Sequence, residues 1–152
     1  MNLACQVTRY GLLALVVVSL AVWGRRTFSP APMAGGGAVL PADGIVVVNF
    51  HAAIRCNGCR EIDRETQAVL KSDFSAALES GRMGHAVINF EVPANQHFIQ
   101  DYGLTTSTVV LVRRKEGQDI AWDRLDAVWN HLYDGPAMRE YLKERISRIT
   151  VP

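Results

Sequence analysis

The run Ile45-Val46-Val47-Val48-Asn49-Phe50 is followed, five residues later, by Cys56-Asn57-Gly58-Cys59. The run is β-branched and apolar with a single amide, as expected of a strand buried on both faces. Two cysteines at this spacing, between a buried strand and a following helix, are the arrangement of a redox site. The chemistry needs that placement. A thiol attacks a disulfide only as its thiolate, and a helix N-terminus offers unpaired backbone N–H groups and a positive dipole end to the anion. The second cysteine, one turn on, is close enough to resolve a mixed disulfide.

The rest of the body alternates. From Cys59 to about Glu79 the apolar positions Ile62, Val69, Leu70, Phe74 and Leu78 recur at helical spacing, and Ser80-Gly81 supplies the stop. Ala86 to Phe90 reads as a second buried strand. Pro93 suits a first helical turn, with Phe98, Ile99 and Tyr102 on one face before Gly103 ends it. Thr108 to Val112 is a third strand. Glu116-Gly117 turns the chain, and Asp119 to Trp122 pairs back. Leu125, Val128, Trp129 and Leu132 then fall at helical spacing. Asp134-Gly135-Pro136 interrupts and restarts that helix, and Met138, Tyr141, Leu142, Ile146 and Ile149 continue the pattern. Two strands joined through a helix should be parallel, and the terminal hairpin adds antiparallel strands. The expected fold is α/β, β-α-β-α-β-β-α, with a mixed four-stranded sheet flanked by helices.

Ahead of this body, Tyr10 to Gly24 carries no charge, between Arg9 and Arg25-Arg26. The run is shorter than the ~20 residues of a standard transmembrane helix. It still spans a bilayer if the flanking arginines and Trp23 reach the interface, and it also fits the core of a signal peptide. Arg25-Arg26 sit where a cleavage region is normally small and neutral, which favours an uncleaved anchor. Ser29-Pro30-Ala31-Pro32 and Gly35-Gly36-Gly37 make a flexible linker. The expected organisation is therefore a signal-anchor or signal peptide over 1–27, a Pro/Gly-rich linker over 28–40, and a folded domain over 41–152. The positive-inside rule gives no strong orientation. A cysteine pair on an exported body is the commoner arrangement, so the expectation is a membrane-anchored, extracytoplasmic domain, periplasmic or at the cell surface.

Composition narrows the function classes. The 152 residues carry a net charge of +1, with acidic and basic residues interleaved. That gives no support for nucleic-acid binding, which needs a concentrated basic face. Arg113-Arg114-Lys115, just before Glu116-Gly117, reads as a solvated hairpin turn. Three cysteines, one of them the N-terminal Cys5, are too few for a disulfide scaffold or a four-cysteine zinc site.

With Cys56-Asn57-Gly58-Cys59 after a strand, and Tyr102-Gly103-Leu104 leading into Thr108-Val109-Val110-Leu111-Val112, the chain resembles the thioredoxin-like superfamily. Within it, the chain is similar to the nitrophenyl compound nitroreductase subunit ArsF family. That likeness rests on Phe50-His51, Arg55-Cys56, Cys59, Ile62-Asp63, Asn95-Gln96-His97-Phe98, Asp101-Tyr102, and Trp122 with Leu125-Asp126-Ala127-Val128-Trp129. It covers about Val46 to Ile146. The resemblance implies a thioredoxin-like domain over 41–152 and thiol–disulfide exchange or electron transfer with a protein thiol or disulfide partner. No flavin- or nicotinamide-binding glycine pattern is present, so no cofactor is expected and this chain alone should not reduce nitro groups. Thioredoxins place a cis-proline before the third core strand and a buried carboxylate in the strand ahead of the cysteines. Here Ser107-Thr108 and Asn49 stand at those places, and an amide neither takes nor gives a proton near neutral pH.

The expected catalytic residues are Cys56 as nucleophile and Cys59 as resolving thiol. Arg55 and Arg60 are candidates for lowering a thiolate pKa, or are simply solvated charges. His51 is a candidate base or third ligand of a Cys2His metal set, against the blander reading of a hydrogen-bonded, half-buried side chain. The competing function is a protein that holds Cu(I) or Zn(II) through the same cysteines; a third is an accessory subunit without turnover. His85, His97 and His131 are assigned no role. Trp122 and Trp129 are expected to pack the final helix rather than to form a binding platform.

Overall fold

The computed structural model describes residues 40–150. The apolar run at 10–24, the segment expected over 1–27 and all but the last residue of the linker expected over 28–40 lie outside the described residues. Among the described residues, no helix is long and apolar enough to cross a membrane.

The central strand β1 spans Gly44–His51, and its residues from Ile45 to Phe50 are all buried. It pairs parallel with β2, Met83–Asn89, and antiparallel with β3, Thr108–Lys115. β4, Gln118–Arg124, pairs antiparallel with β3, so the sheet order is β2-β1-β3-β4. Helix α1, Asn57–Asp73, and the short helix α2, Ser75–Glu79, connect β1 to β2. A single-turn 3-10 helix, Pro93–Asn95, and helix α3, His97–Asp101, connect β2 to β3. A second 3-10 segment, Asp126–His131, leads from β4 into the terminal helix α4, Gly135–Thr150. This order and sheet topology form the thioredoxin-like α/β fold.

Alternation along the strands builds two cores. Ile45 and Val47 of β1 and Val109 and Leu111 of β3 pack with Ile62, Val69 and Leu70 of α1 and Met138, Leu142 and Ile146 of α4. Val46, Val48 and Phe50, with Val110 and Val112, face Ala86, Ile88, Phe98, Tyr102 and Leu104. Two-sided burial is why these strands read as unbroken apolar runs. Phe50, Phe98 and Tyr102 meet with ring centroids 5.2–5.7 Å apart.

Four expectations are corrected. The helix anticipated from Cys59 to Glu79 breaks at Phe74, whose φ of −125° and ψ of 14° are not helical, although its N–H still reaches the Leu70 carbonyl. The break lets the apolar side of the short second helix pack on the sheet. The helix anticipated from Leu125 is a 3-10 segment. Its first residue is held by the sheet, Leu125 N–H donating to the Val109 carbonyl at 2.8 Å, and the bonds at its two ends are of the 3-10 kind, Val128 N–H to the Leu125 carbonyl at 3.1 Å and Asp134 N–H to the His131 carbonyl at 2.9 Å. The restart at Asp134-Gly135-Pro136 is present, with the Asp134 carboxylate accepting from Ala137 N–H at 3.0 Å as a cap.

The hairpin arginines are not simply solvated. Glu116 and Gly117 form a two-residue turn with φ of 54° and 75°, the left-handed backbone such hairpins require. Arg114 is buried, paired with Asp119 at 2.9 Å and donating to the carbonyls of Gly117 at 2.6 Å and Pro41 at 3.1 Å. It ties the start of the domain to the hairpin. Finally, Trp122 does not pack on the last helix. It stands half-exposed on β4, edge-on to Tyr102 of the opposite core at 5.7 Å.

Candidate functional site

Cys56 ends the loop after β1 in extended backbone, φ −69° and ψ 169°, and is the N-cap of α1. Its sulfur takes the place of the usual capping oxygen and accepts from Cys59 N–H at 3.2 Å. Cys56 is exposed, Cys59 is 8% exposed, and both are free thiols. The Cys56 pKa lies below the ordinary thiol value. The largest cause is the hydrogen bond from the Cys59 side chain, followed by the Cys59 backbone N–H, with smaller help from Gly58. The backbone N–H groups among these are unpaired donors of a helix start, directed at the group whose charge they favour.

The flanking arginines do not contribute to that shift. Arg55 turns instead to Asp63 on α1, at 2.8 Å, and Arg60 is exposed. The thiol is tuned by backbone and by its partner cysteine.

Cys59 points inward. Its single S–H has two acceptors in reach, Cys56 Sγ and Ser107 Oγ, the latter at 3.5 Å, so the residue standing where thioredoxins carry the cis-proline does touch the cysteine pair. The Ser107 carbonyl accepts from Trp129 Nε1–H at 2.8 Å. The Trp129 ring in turn covers Gly58, where an added Cβ would lie 2.9 Å from its Cζ3. Trp129 therefore packs with the α4-side core as expected, but it also holds the loop before β3. Its helical spacing in the sequence concealed that second role.

Asn49 lies on the α1 face of β1 and is engaged at both ends of its amide. Its Nδ2 donates to Thr66 Oγ1 at 3.3 Å, and its Oδ1 accepts from His85 Nε2 at 3.1 Å. Burial pushes the His85 pKa down, with Asp63 opposing. His85, given no role from the sequence, thus completes a neutral polar network beneath α1. A polar residue at a core-facing register of β2 was the available signal.

His51 closes β1, and its Nδ1–H donates to the Ala52 carbonyl at 2.8 Å. Among the described residues no three His, Cys, Asp or Glu side chains come together in a way that could hold a metal ion, so a Cys2His set is not assembled. His97 lies against Phe98 at 4.0 Å and His131 against Tyr141 at 5.3 Å, both far in sequence from the cysteines. A small void lies behind Cys59, bordered by Asn49, His51, Arg55, Ser107 and Thr108. Thr108 Oγ1 and Arg55 Nε are buried there without hydrogen-bond partners.

No family model matches the chain, and no curated protein matches it. Among solved structures, the chain is similar to the thioredoxin of Fasciola hepatica, at 21% identity and a TM-score of 0.42 over 70% of this chain and 81% of that one. The Malassezia sympodialis thioredoxin, described as a member of a pan-allergen family, is 19% identical at a TM-score of 0.40, over 68% of this chain and 80% of that one. The Thermus thermophilus thioredoxin is 23% identical at a TM-score of 0.42, over 71% of this chain and 75% of that one. Likenesses this distant carry no argument about activity. The thioredoxin-like fold stands on the strand order, the strand directions and the helix that begins at Cys56.

Proposed function

We propose that this chain is a thiol–disulfide exchange protein whose redox pair is Cys56 and Cys59. One observation carries the reading: an exposed N-cap cysteine with a lowered pKa lies one turn ahead of a buried cysteine that hydrogen-bonds it. The Cys56 thiolate attacks a partner disulfide, forming a mixed disulfide and expelling one partner thiolate. Cys59 then attacks Cys56 Sγ, the second partner sulfur leaves, and the cysteine pair ends oxidised by two electrons. The reverse sequence oxidises a dithiol partner. Ile54, 88% exposed beside the motif, and Tyr133, 99% exposed on the groove next to Gly58, offer apolar contact to an approaching polypeptide.

The reading extends to a body tethered at the membrane by residues 1–27 through a linker over 28–40, and placed outside the cytoplasm. The charge-free run before the linker supports it. The resemblance to the ArsF nitroreductase-subunit family fits an electron-transfer role beside another protein, with any nitro reduction carried out elsewhere. The metal-holding alternative has two sulfurs but no assembled third ligand among the described residues.

The decisive experiment is the full-length Cys59→Ser variant expressed in its host cells. A mixed disulfide through Cys56 to a partner protein, absent in the Cys56→Ser, Cys59→Ser double variant, is the expected result. Purified reduced protein carrying about one Cu(I) or Zn(II) per chain, with nothing trapped, would overturn the exchange reading in favour of metal holding. The same preparations test the tether: the chain should partition with membranes and retain its first residues. A soluble species beginning after residue 29 would replace the anchor with a cleaved signal peptide.

A further inference from the structure

The pole of the domain opposite the cysteines carries an open, largely apolar groove of about 710 Å³. It lies where β1 and β2 begin and where β3 and α4 end. The length of β1 therefore separates it from the cysteine motif, roughly 23 Å at about 3.3 Å per residue. Phe74, Ala77 and Ile149 line it from the α4-side core, and Ile120, 55% exposed, lines it from β4. Nothing in the exchange chemistry uses this end of the molecule.

Four basic side chains and one carboxylate line the same groove. Arg114 is matched by Asp119, and Arg113 is tied to the Ile149 carbonyl. Asp43 turns to the Glu116 N–H, which it accepts at 2.9 Å. Arg82, just ahead of β2, and Lys115, at the end of β3, are exposed and flank the start of β1. Glu116, next to Lys115, does not line the groove. Exposed apolar side chains edged by cations suit an anionic lipid surface: the apolar groups enter the boundary between headgroups and acyl chains, and the cations meet the phosphates. The described chain also starts at this pole. Pro41 lies against Gly84 of β2, and its carbonyl accepts from Arg114 at 3.1 Å. The thirteen residues over 28–40 reach at most about 45 Å, which keeps the pole where they end within that distance of any bilayer holding residues 1–27.

We propose that this pole docks on an anionic phospholipid surface, with the groove against the headgroups and the Cys56 pole turned away from the bilayer. The inference rests on the membrane tether proposed above. A basic side chain near an anionic leaflet contributes about 5-fold in affinity, so Arg82 and Lys115 together supply roughly 25-fold. That is weak for a protein free in solution and sufficient for one already held beside the bilayer, where the second contact is intramolecular. Docking would present the cysteine pair to partners that approach from the aqueous side. The cysteines take no part in it, so docking and exchange are separable.

The test places a nitrobenzoxadiazole probe on Thr150→Cys, which lines the groove, in the full-length chain carrying Cys5→Ser, Cys56→Ser and Cys59→Ser. The same probe on Tyr133→Cys, beside the cysteine motif, reports the far pole. Each chain is reconstituted in phosphatidylcholine vesicles, with or without phosphatidylglycerol as a quarter of the lipid, and quenching by a headgroup-spin-labelled lipid is read. Quenching at Thr150→Cys should rise about 2-fold or more with phosphatidylglycerol. It should fall back in about 0.5 M salt, and in the exposed charge reversals Arg82→Glu, Lys115→Glu. The Tyr133→Cys probe should not respond. Equal quenching in the two lipids, a rise that survives the charge reversals, or a matching rise at Tyr133→Cys overturns the proposal. A Thr150→Cys probe already shielded from iodide in pure phosphatidylcholine gives the groove to residues 28–39 or to a second copy of the chain, and overturns it as well. Flotation with pure phosphatidylcholine vesicles tests the tether by itself. If the chain does not float there the tether fails, and docking then survives only if the chain floats with phosphatidylglycerol vesicles and the charge reversals abolish that flotation.

Discussion

Trp129 donates its indole N–H to the carbonyl of Ser107 at 2.8 Å, while the hydroxyl of the same serine accepts the Cys59 thiol at 3.5 Å. One loop residue thereby links the segment before the terminal helix to the buried cysteine. Trp129→Phe keeps a ring over Gly58 but leaves the Ser107 carbonyl without this donor. The expected loss is about 1–3 kcal/mol in urea unfolding. An unchanged midpoint would show that water replaces the indole at no cost.

The entry of β1 depends on a residue without a side chain. Gly44 has φ of +141°, and a Cβ there would lie 2.1 Å from the Arg82 carbonyl oxygen. The next residue, Ile45, donates its N–H to that same carbonyl at 3.1 Å, so the backbone cannot retreat without giving up the bond. Gly44→Ala should destabilise the domain by about 2–4 kcal/mol, read by chemical denaturation. A change under about 0.5 kcal/mol would mean that β1 enters the sheet by another path.

Alkylation should separate the two thiols. Iodoacetamide followed by peptide mass spectrometry is expected to modify exposed Cys56 well before buried Cys59. Because its pKa is lowered by the Cys59 hydrogen bonds, the Cys56 rate should hold as pH falls below the ordinary thiol range of about 8.5. A rate midpoint at or above that value, or equal slow labelling of both residues, would count against a poised thiolate.

Acid stability should depend on Glu65. Burial pushes its pKa up, but the guanidiniums of Arg64 at 2.9 Å and Arg139 at 2.5 Å outweigh this and hold it below the usual carboxylate value. A depressed folded-state pKa gives stability that is present above the unfolded value of about 4.3 and is lost as pH falls through the folded one. Glu65→Gln should therefore be less stable than the parent at pH 7 and lose less on acidification below about pH 4. Parallel stability curves for the two proteins would show that this carboxylate does not drive the acid limb.

The elements of the fold were largely legible because their signals are local. Unbroken β-branched runs marked β1 and β3, and Glu116-Gly117 marked the hairpin. The signals failed where an element's state depended on a distant partner. Leu125 and Val128 have helical spacing, but Leu125 N–H is bonded to Val109 on the sheet and Val128 N–H closes an i→i+3 turn on the Leu125 carbonyl, so the segment is a 3-10 helix. Arg114 looked solvated within a basic triplet, and is buried because Asp119 and two carbonyls converge on it.

By itself the sequence determined that Cys56 and Cys59 follow a buried strand and begin a helix, since spacing and the cap position need only neighbouring residues. Their surroundings were a matter of tertiary structure. Ser107 is 48 residues from Cys59, and His85 is 36 from Asn49. Nothing local sets such distances. β1 lies between β2 and β3, and the registers Asn49 with Val87 and Phe50 with Thr108 decide which polar groups meet below α1. Because side chains alternate faces, a shift of one residue in either pairing would carry the polar network to the opposite core.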